Sequence, residues 1–161
     1  MVKVKIIEKN SFWVVGKKIW ITGQNNQEFA EFWNMSHKSG FVDSLKNISA
    51  PKEMDKAIMG ISRVEKTPND RAFYFYICCE TESFITVEDT MEIFEVPASR
   101  WAVFSNHSSN NLAEALIEAE MYCHMDWLKK SGYHHALAPE MEVYPLKDGT
   151  LVEYWLPIDD V

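Results

Sequence analysis

Residues 100–104, Arg100-Trp101-Ala102-Val103-Phe104, restart a pattern that the chain has already run once, beginning at Phe12-Trp13-Val14-Val15. In each case a β-rich aromatic run leads into an amphipathic helix. After the first run, Phe29, Phe32, Trp33 and Ser36 fall at i, i+3, i+4 and i+7, which predicts a helix over 25–38. After the second, Leu112, Leu116, Ala119, Cys123 and Trp127 line one stripe of a predicted helix over 111–131. Glu114 and Glu118 lie early in that helix and Lys129 and Lys130 late, as the helix dipole favours. Both helices stop on the same signal, Lys38-Ser39-Gly40-Phe41 in one and Lys130-Ser131-Gly132-Tyr133 in the other. Strand pairs follow each, at 57–65 with 71–79 and at 140–145 with 151–158. Thr67-Pro68-Asn69-Asp70 and Lys147-Asp148-Gly149 supply their turns. The chain opens with strands over 3–8 and 11–21, residues 41–55 read as loop with at most a helical turn, and 80–98 reads as an acidic connector.

This grammar predicts one α+β domain over 1–161, made of duplicated β-α-β-β halves at about 1–80 and 94–161. The halves are expected to pair into a curved antiparallel sheet. Both helices lie on one face, and a ligand groove runs between the halves on the other.

The chain has 161 residues, 47% of them hydrophobic and 25% charged, which is ordinary for a globular domain and excludes disorder or a disulfide scaffold. Aromatic residues reach 13%, enough for a heavy core or an aromatic-lined pocket. Net charge is −8 and uneven. Residues 1–80 hold 12 Lys/Arg against 9 Asp/Glu, and residues 81–161 hold 4 against 15. An acidic half repels phosphate backbones, and no reading helix, zinc finger or basic arm is visible, so direct nucleic-acid binding is not expected. No apolar run reaches membrane-span length, and the N-terminus lacks a signal-peptide core. Three cysteines without framework spacing fit free thiols in a reducing cytoplasm, the expected location.

Several residue types look like chemistry and are not read so. His134-His135 and Cys123-His124 match no zinc spacing, so no metal is expected. Cys78 and Cys79 are adjacent in a strand and point to opposite faces. There is no nucleophile elbow and no phosphate-binding glycine loop, and no cofactor is implied.

The informative segment is the last strand, Leu151-Val152-Glu153-Tyr154-Trp155-Leu156-Pro157-Ile158. Alternation puts Glu153, Trp155 and Pro157 on one face. A carboxylate among apolar residues is either a solvated edge glutamate or a buried charge retained for a ligand or a proton. The preceding strand puts Glu140, Glu142 and Tyr144 on a shared face, and the hairpin is expected to bring Glu142 and Tyr144 near Glu153. One aromatic of 73–76, Phe75, is expected to face the same groove.

At these residues the chain resembles the GyrI-like small-molecule-binding domain, the effector-binding module of AraC-type and MerR-type multidrug regulators. The resemblance rests on Phe94-Glu95-Val96-Pro97-Ala98-Ser99-Arg100-Trp101-Ala102-Val103-Phe104, on Asp126-Trp127-Leu128-Lys129-Lys130-Ser131-Gly132-Tyr133 with Pro139-Glu140-Met141-Glu142-Val143-Tyr144, and on Glu153-Tyr154-Trp155-Leu156-Pro157-Ile158. Trp101 departs from a more usual Tyr and loses a hydroxyl, Ser99 replaces Gly, and Lys129 replaces Pro. The resemblance implies a stand-alone monomer or homodimer that binds hydrophobic, cationic aromatic molecules, with Glu153 as the pocket glutamate and Trp155, Trp101, Glu142 and Tyr144 lining the same pocket. It also implies two alternatives: hydrolysis of strained cyclopropane-type DNA-alkylating compounds with Glu153 as general base, and a gyrase-inhibitor-like interaction module.

Overall fold

The structure is a computed structural model and describes residues 1–25, 27–48, 56–63, 72–82 and 88–160. The turn expected at Thr67–Asp70 lies outside the described residues. The strands are β1 (Lys3–Lys9), β2 (Phe12–Ile21), β3 (Ala57–Arg63), β4 (Phe73–Thr81), β5 (Glu92–Val96), β6 (Ser99–His107), β7 (Tyr133–His135), β8 (Glu140–Pro145) and β9 (Leu151–Asp160). They form one antiparallel sheet in the order β1-β6-β9-β8-β3-β4-β2-β5, with β7 paired to β9.

That order is the same read from either end. β6-β9-β8 repeats β2-β4-β3, and the two sets join where β3 pairs with β8. The strand that precedes each set in sequence is exchanged: β1 runs into β2 but pairs with β6, while β5 runs into β6 but pairs with β2. Each link has two residues, Asn10-Ser11 and Pro97-Ala98. Three Cα steps reach about 11 Å. In a flat sheet the strands so linked stand six places apart, about 29 Å. The sheet therefore curls until its ends meet. Phe12 and Val96 from one end pack in a single core with Trp101 and Val103 from the other, and Lys9 of β1 reaches Glu80 of β4 at 3.3 Å.

The curl gives the sheet an inner and an outer face. Val14, Met59, Ile61, Tyr76, Cys78, Met141 and Val143 fill the inside. The outside is covered by helices. In the first half α1 (Glu28–Lys38) and α2 (Phe41–Lys46) close over Val15, Ile58, Phe75, Ile77 and Cys79. In the second, α3 (Leu112–Met121) closes over Phe104, Val152, Tyr154 and Leu156. Asn111 caps α3 by accepting from the Glu114 N–H at 3.1 Å. The buried Asn106 side chain ties β6 to α3, donating to the Ala115 carbonyl at 3.0 Å. Cys78 and Cys79 do face opposite cores, and both are free thiols.

Three readings need correction. The connector over 80–98 contains β5, whose Ile93, Phe94 and Val96 alternate weakly between acids. The helix over 111–131 is α3, a π-helical turn at Tyr122–Trp127, and α4 (Leu128–Ser131). The three-residue β7 was not anticipated. Among the described residues no helix is long and apolar enough to cross a membrane.

Gly16, in mid-β2, stands opposite Cys78 of β4 with no room for a side chain. A Cβ there would stand 2.1 Å from the Ile77 carbonyl oxygen and 2.5 Å from the Cys78 Cβ. Gly16→Ala is expected to lower stability by about 1–3 kcal/mol, the scale of overpacking. Urea denaturation measures this, and an unchanged midpoint would show that the strand accommodates the methyl.

Candidate functional site

The central strands β3 and β8 carry a cluster of acids and aromatics on the helix-covered face. Gly60 pairs with Glu142 and Ile58 with Tyr144 across them. At Gly60 a Cβ would meet Glu142 Oε1 at 2.5 Å and the Phe75 ring at 2.6 Å. The missing side chain is thus the space into which Glu142 and Phe75 fit. From α1, the Trp33 indole Nε1 donates to Glu142 Oε1 at 3.0 Å. Trp33 also stands edge-on to Tyr144, ring centroids 5.4 Å apart, and to Phe75 at 6.4 Å.

The other wall comes from β9 and the α3 region. The Tyr154 hydroxyl donates to Glu140 Oε2 at 2.8 Å and lies 3.0 Å from His124 Nε2. His124 sits in the π-helical turn, a device that re-aims side chains and recurs at functional sites. Glu120, at the C-terminal end of α3, joins Glu140, Glu142, Gly60, Ser62, Phe75, Met141 and Tyr154 around a cleft of about 20 Å³.

Three carboxyl groups therefore share one cleft, and among the described residues none is ion-paired to Lys or Arg. Burial, and then the neighbouring Glu140, push Glu120 up to about 7. Burial, with Glu120 next, pushes Glu142 up to about 7 against the opposing hydrogen bond from Trp33. Tyr144 and Tyr154 are driven far above the usual phenol range by burial and by these carboxylates, so both remain donors. Burial likewise pushes the Cys123 thiol up to about 12, which leaves it unreactive. Among the described residues no three His, Cys, Asp or Glu side chains are grouped to hold a metal ion.

The six residues expected to share one pocket fall into two groups on opposite faces. Glu142, Tyr144 and Phe75 lie outside the curl, under α1. Glu153, Trp155 and Trp101 lie inside it. The register is the cause: Val143 pairs with Glu153, and Glu142 pairs with Tyr154. The glutamate brought to the central aromatic cluster is Glu142 rather than Glu153. Glu153 accepts a hydrogen bond from Trp155 Nε1 at 3.1 Å, and both line a cavity of about 310 Å³ inside the curl. Trp101 is fully buried behind Trp155, ring centroids 5.7 Å apart, and does not line that cavity.

Reading the sequence missed Glu120, Trp33, Gly60, Tyr154 and His124 as site residues. Glu120 carried a signal: it follows Leu116 by four residues and so continues the buried stripe of α3 with a carboxylate.

The family model of integron-associated effector-binding proteins, Cass2, matches residues 5–158. No curated protein matches the chain closely. Among solved structures, SAV2435 bound to tetraphenylphosphonium is similar with a TM-score of 0.81 and 18% identity, covering 98% of this chain and 94% of that one. A putative bacterial transcription regulation protein from Staphylococcus aureus MU50 gives 0.77 and 19%, covering 98% of each chain. An integron cassette protein from the mobile metagenome of Vibrio cholerae gives 0.63 and 20%, covering 97% of this chain and 95% of that one. At these identities the structural likeness carries the fold.

Glu142 and Glu120 hold protons in the folded protein up to about pH 7 and release them near 4.5 when unfolded. Folding therefore takes up protons in this window. Their contribution is intact below about pH 4.5, falls as pH rises to about 7, and is flat above. Glu142→Gln removes the charge and leaves an oxygen to accept from Trp33. It is expected to stabilise the protein at pH 8 by about 1–3 kcal/mol, on the scale of 1.4 kcal/mol per pKa unit, with little change at pH 4.5. Denaturation at the two pH values measures this, and a variant less stable than the parent at pH 8 would show that the charged form is satisfied in place.

Proposed function

The chain belongs to the integron-associated effector-binding proteins, and from that premise we propose that it binds small lipophilic, cationic aromatic molecules in the cleft around Glu142, as a sensor or sequestering protein. The observation that carries this reading is the set of three carboxyl groups, Glu120, Glu140 and Glu142, gathered among Trp33, Phe75, Tyr144 and Tyr154 with no cationic partner among the described residues. A cation entering this site supplies the missing charge in a low-dielectric setting, where an ion pair is strong, and the aromatic faces add cation–π attraction. SAV2435, which shares the fold, is known with a lipophilic aromatic cation bound.

The cleft is smaller than such a ligand, so one wall has to give. α1 is the wall with the weakest hold. Ser36 is its one buried residue, and Phe29, Phe32 and Trp33 are only partly buried. Lifting Trp33 uncovers the Glu142 carboxylate that its indole now covers.

A second reading keeps the same site for catalysis. A carboxyl group with a pKa of about 7 is matched to general-base work at neutral pH. Glu142 rather than Glu153 would then activate water against a strained electrophile held between the aromatic walls.

Calorimetric titration with tetraphenylphosphonium tests the first reading. Binding is expected to strengthen from pH 5.5 to 8, up to about tenfold per pH unit for each proton released, and to level above the pKa near 7. Glu142→Gln should weaken it by about 1–3 kcal/mol, as for loss of a desolvated charge partner, and Glu153→Gln should leave it unchanged. The reverse pattern in the two variants, or affinity independent of pH, would overturn the assignment. Mass analysis of a cyclopropane electrophile after incubation separates catalysis from binding: many water adducts per chain establish turnover, and unchanged compound excludes it.

A further inference from the structure

The cavity inside the curl is chemically unlike the acidic cleft on the other face of the same strands. Its volume is about 310 Å³, which falls in the range of small-ligand pockets. Met59 of β3 and Met141 and Val143 of β8 line it together with Phe12 and Trp155, a largely apolar lining. Its charged lining side chains are Lys5, Lys9 and Lys147 against Glu80 and Glu153. Lys56 also borders it, but its ammonium is turned to the outer face, where it donates to the Ile48 carbonyl and lies 3.5 Å from Cys79 Sγ. Both acids in the cavity are engaged. Glu80 is ion-paired with Lys9 at 3.3 Å, and Glu153 accepts from Trp155. Lys5 is exposed at the rim and has no ion pair among the described residues.

The cations are placed by the strand period. Lys3, Lys5, Ile7 and Lys9 alternate onto one face of β1, and the pairing of Lys5 with Val103 and of Ile7 with Trp101 makes that face the inner one. In a chain of net charge −8, this is a local excess of positive charge above a flexible, methionine-rich surface.

We propose that this cavity is a binding site for a small anionic amphiphile, a single carboxylate or similar oxyanion on an aliphatic body. The body lies on Met59, Met141 and Val143, and the head meets Lys5 at the rim. The site lies on the opposite face of the sheet from the cation cleft, and Met141 borders both.

Decanoate, held below its micelle concentration, is the probe. The readout is the methionine methyl NMR spectrum of the full chain. Decanoate is expected to shift the Met59 and Met141 methyl signals saturably, with decyltrimethylammonium at least tenfold weaker at the same signals. Lys5→Glu, on the surface, should weaken decanoate about five- to tenfold and leave tetraphenylphosphonium binding, or its absence, as in the parent. Equal binding of the two decyl compounds would overturn the proposal. So would Lys5→Glu with unchanged decanoate affinity, or no shift at Met59 and Met141. In that last case the lysines of β1 only guard a sheet edge against pairing with another chain.

Discussion

Everything in this molecule follows from two short links. Asn10-Ser11 and Pro97-Ala98 each join strands that stand at opposite ends of the sheet order, and two residues cannot cross a flat sheet. The curl is therefore a covalent requirement before it is a packing preference. Side-chain packing then makes it stable. Phe12, Val96 and Trp101 bury one another where the ends meet, and Gly16 lets β2 and β4 approach more closely than a side chain would allow. Once curled, each strand has one face inside the sheet and one under helices, so neighbouring residues in sequence live in different solvents. Cys78 and Cys79 are the plainest case, each fully buried, each in a different core.

The same separation explains how a chain can hold three unneutralised carboxyl groups in one cleft. Isolating a carboxylate from water costs several kcal/mol, and the usual remedy is a cationic partner. Here the lysines of β1 all face the interior of the curl, while Glu120, Glu140 and Glu142 face outward beneath the helices. The sheet keeps the two sets apart. Glu120 and Glu142 respond by holding protons, and Glu142 and Glu140 accept hydrogen bonds from neutral donors, the Trp33 indole and the Tyr154 hydroxyl. Such an arrangement is less stable than a paired one. Under the proposed function, its compensation is a site whose charge is supplied by the ligand.

The strands, the helices and their repetition were legible because hydrophobic periodicity is a local property. β5 was not, because Glu92-Ile93-Phe94-Glu95-Val96 is short and acidic at an edge, where pairing to β2 outweighs composition. The π-helical turn left no mark, since the stripe through Cys123 and Trp127 fits an α-helix nearly as well. For the site, alternation within each strand was read correctly. What failed was the register between β8 and β9. The pairing of Glu142 with Tyr154 and Val143 with Glu153 depends on the five residues, 146–150, that connect the strands. One residue more or less would have put Glu142 and Glu153 on the same face. Periodicity gives the faces of a strand, and only the turn says which faces meet.

The features that break local rules all gather at one place. Gly60 is a strand-interior glycine, weak for a sheet, and it sits opposite Glu142. The helix over β9 is interrupted by a π turn, and that turn carries His124 to Tyr154. Glu120 ends an apolar helical stripe with a charge. Each of these lowers stability when taken alone, and a sequence selected for folding only would have little reason to retain any of them. Their convergence on a single cleft supports the function proposed there, because inconsistency between local preference and fold is expected where binding rather than stability decides the residue. The inner cavity differs in kind: its strands obey alternation throughout, and its chemistry comes from which residues alternate inward.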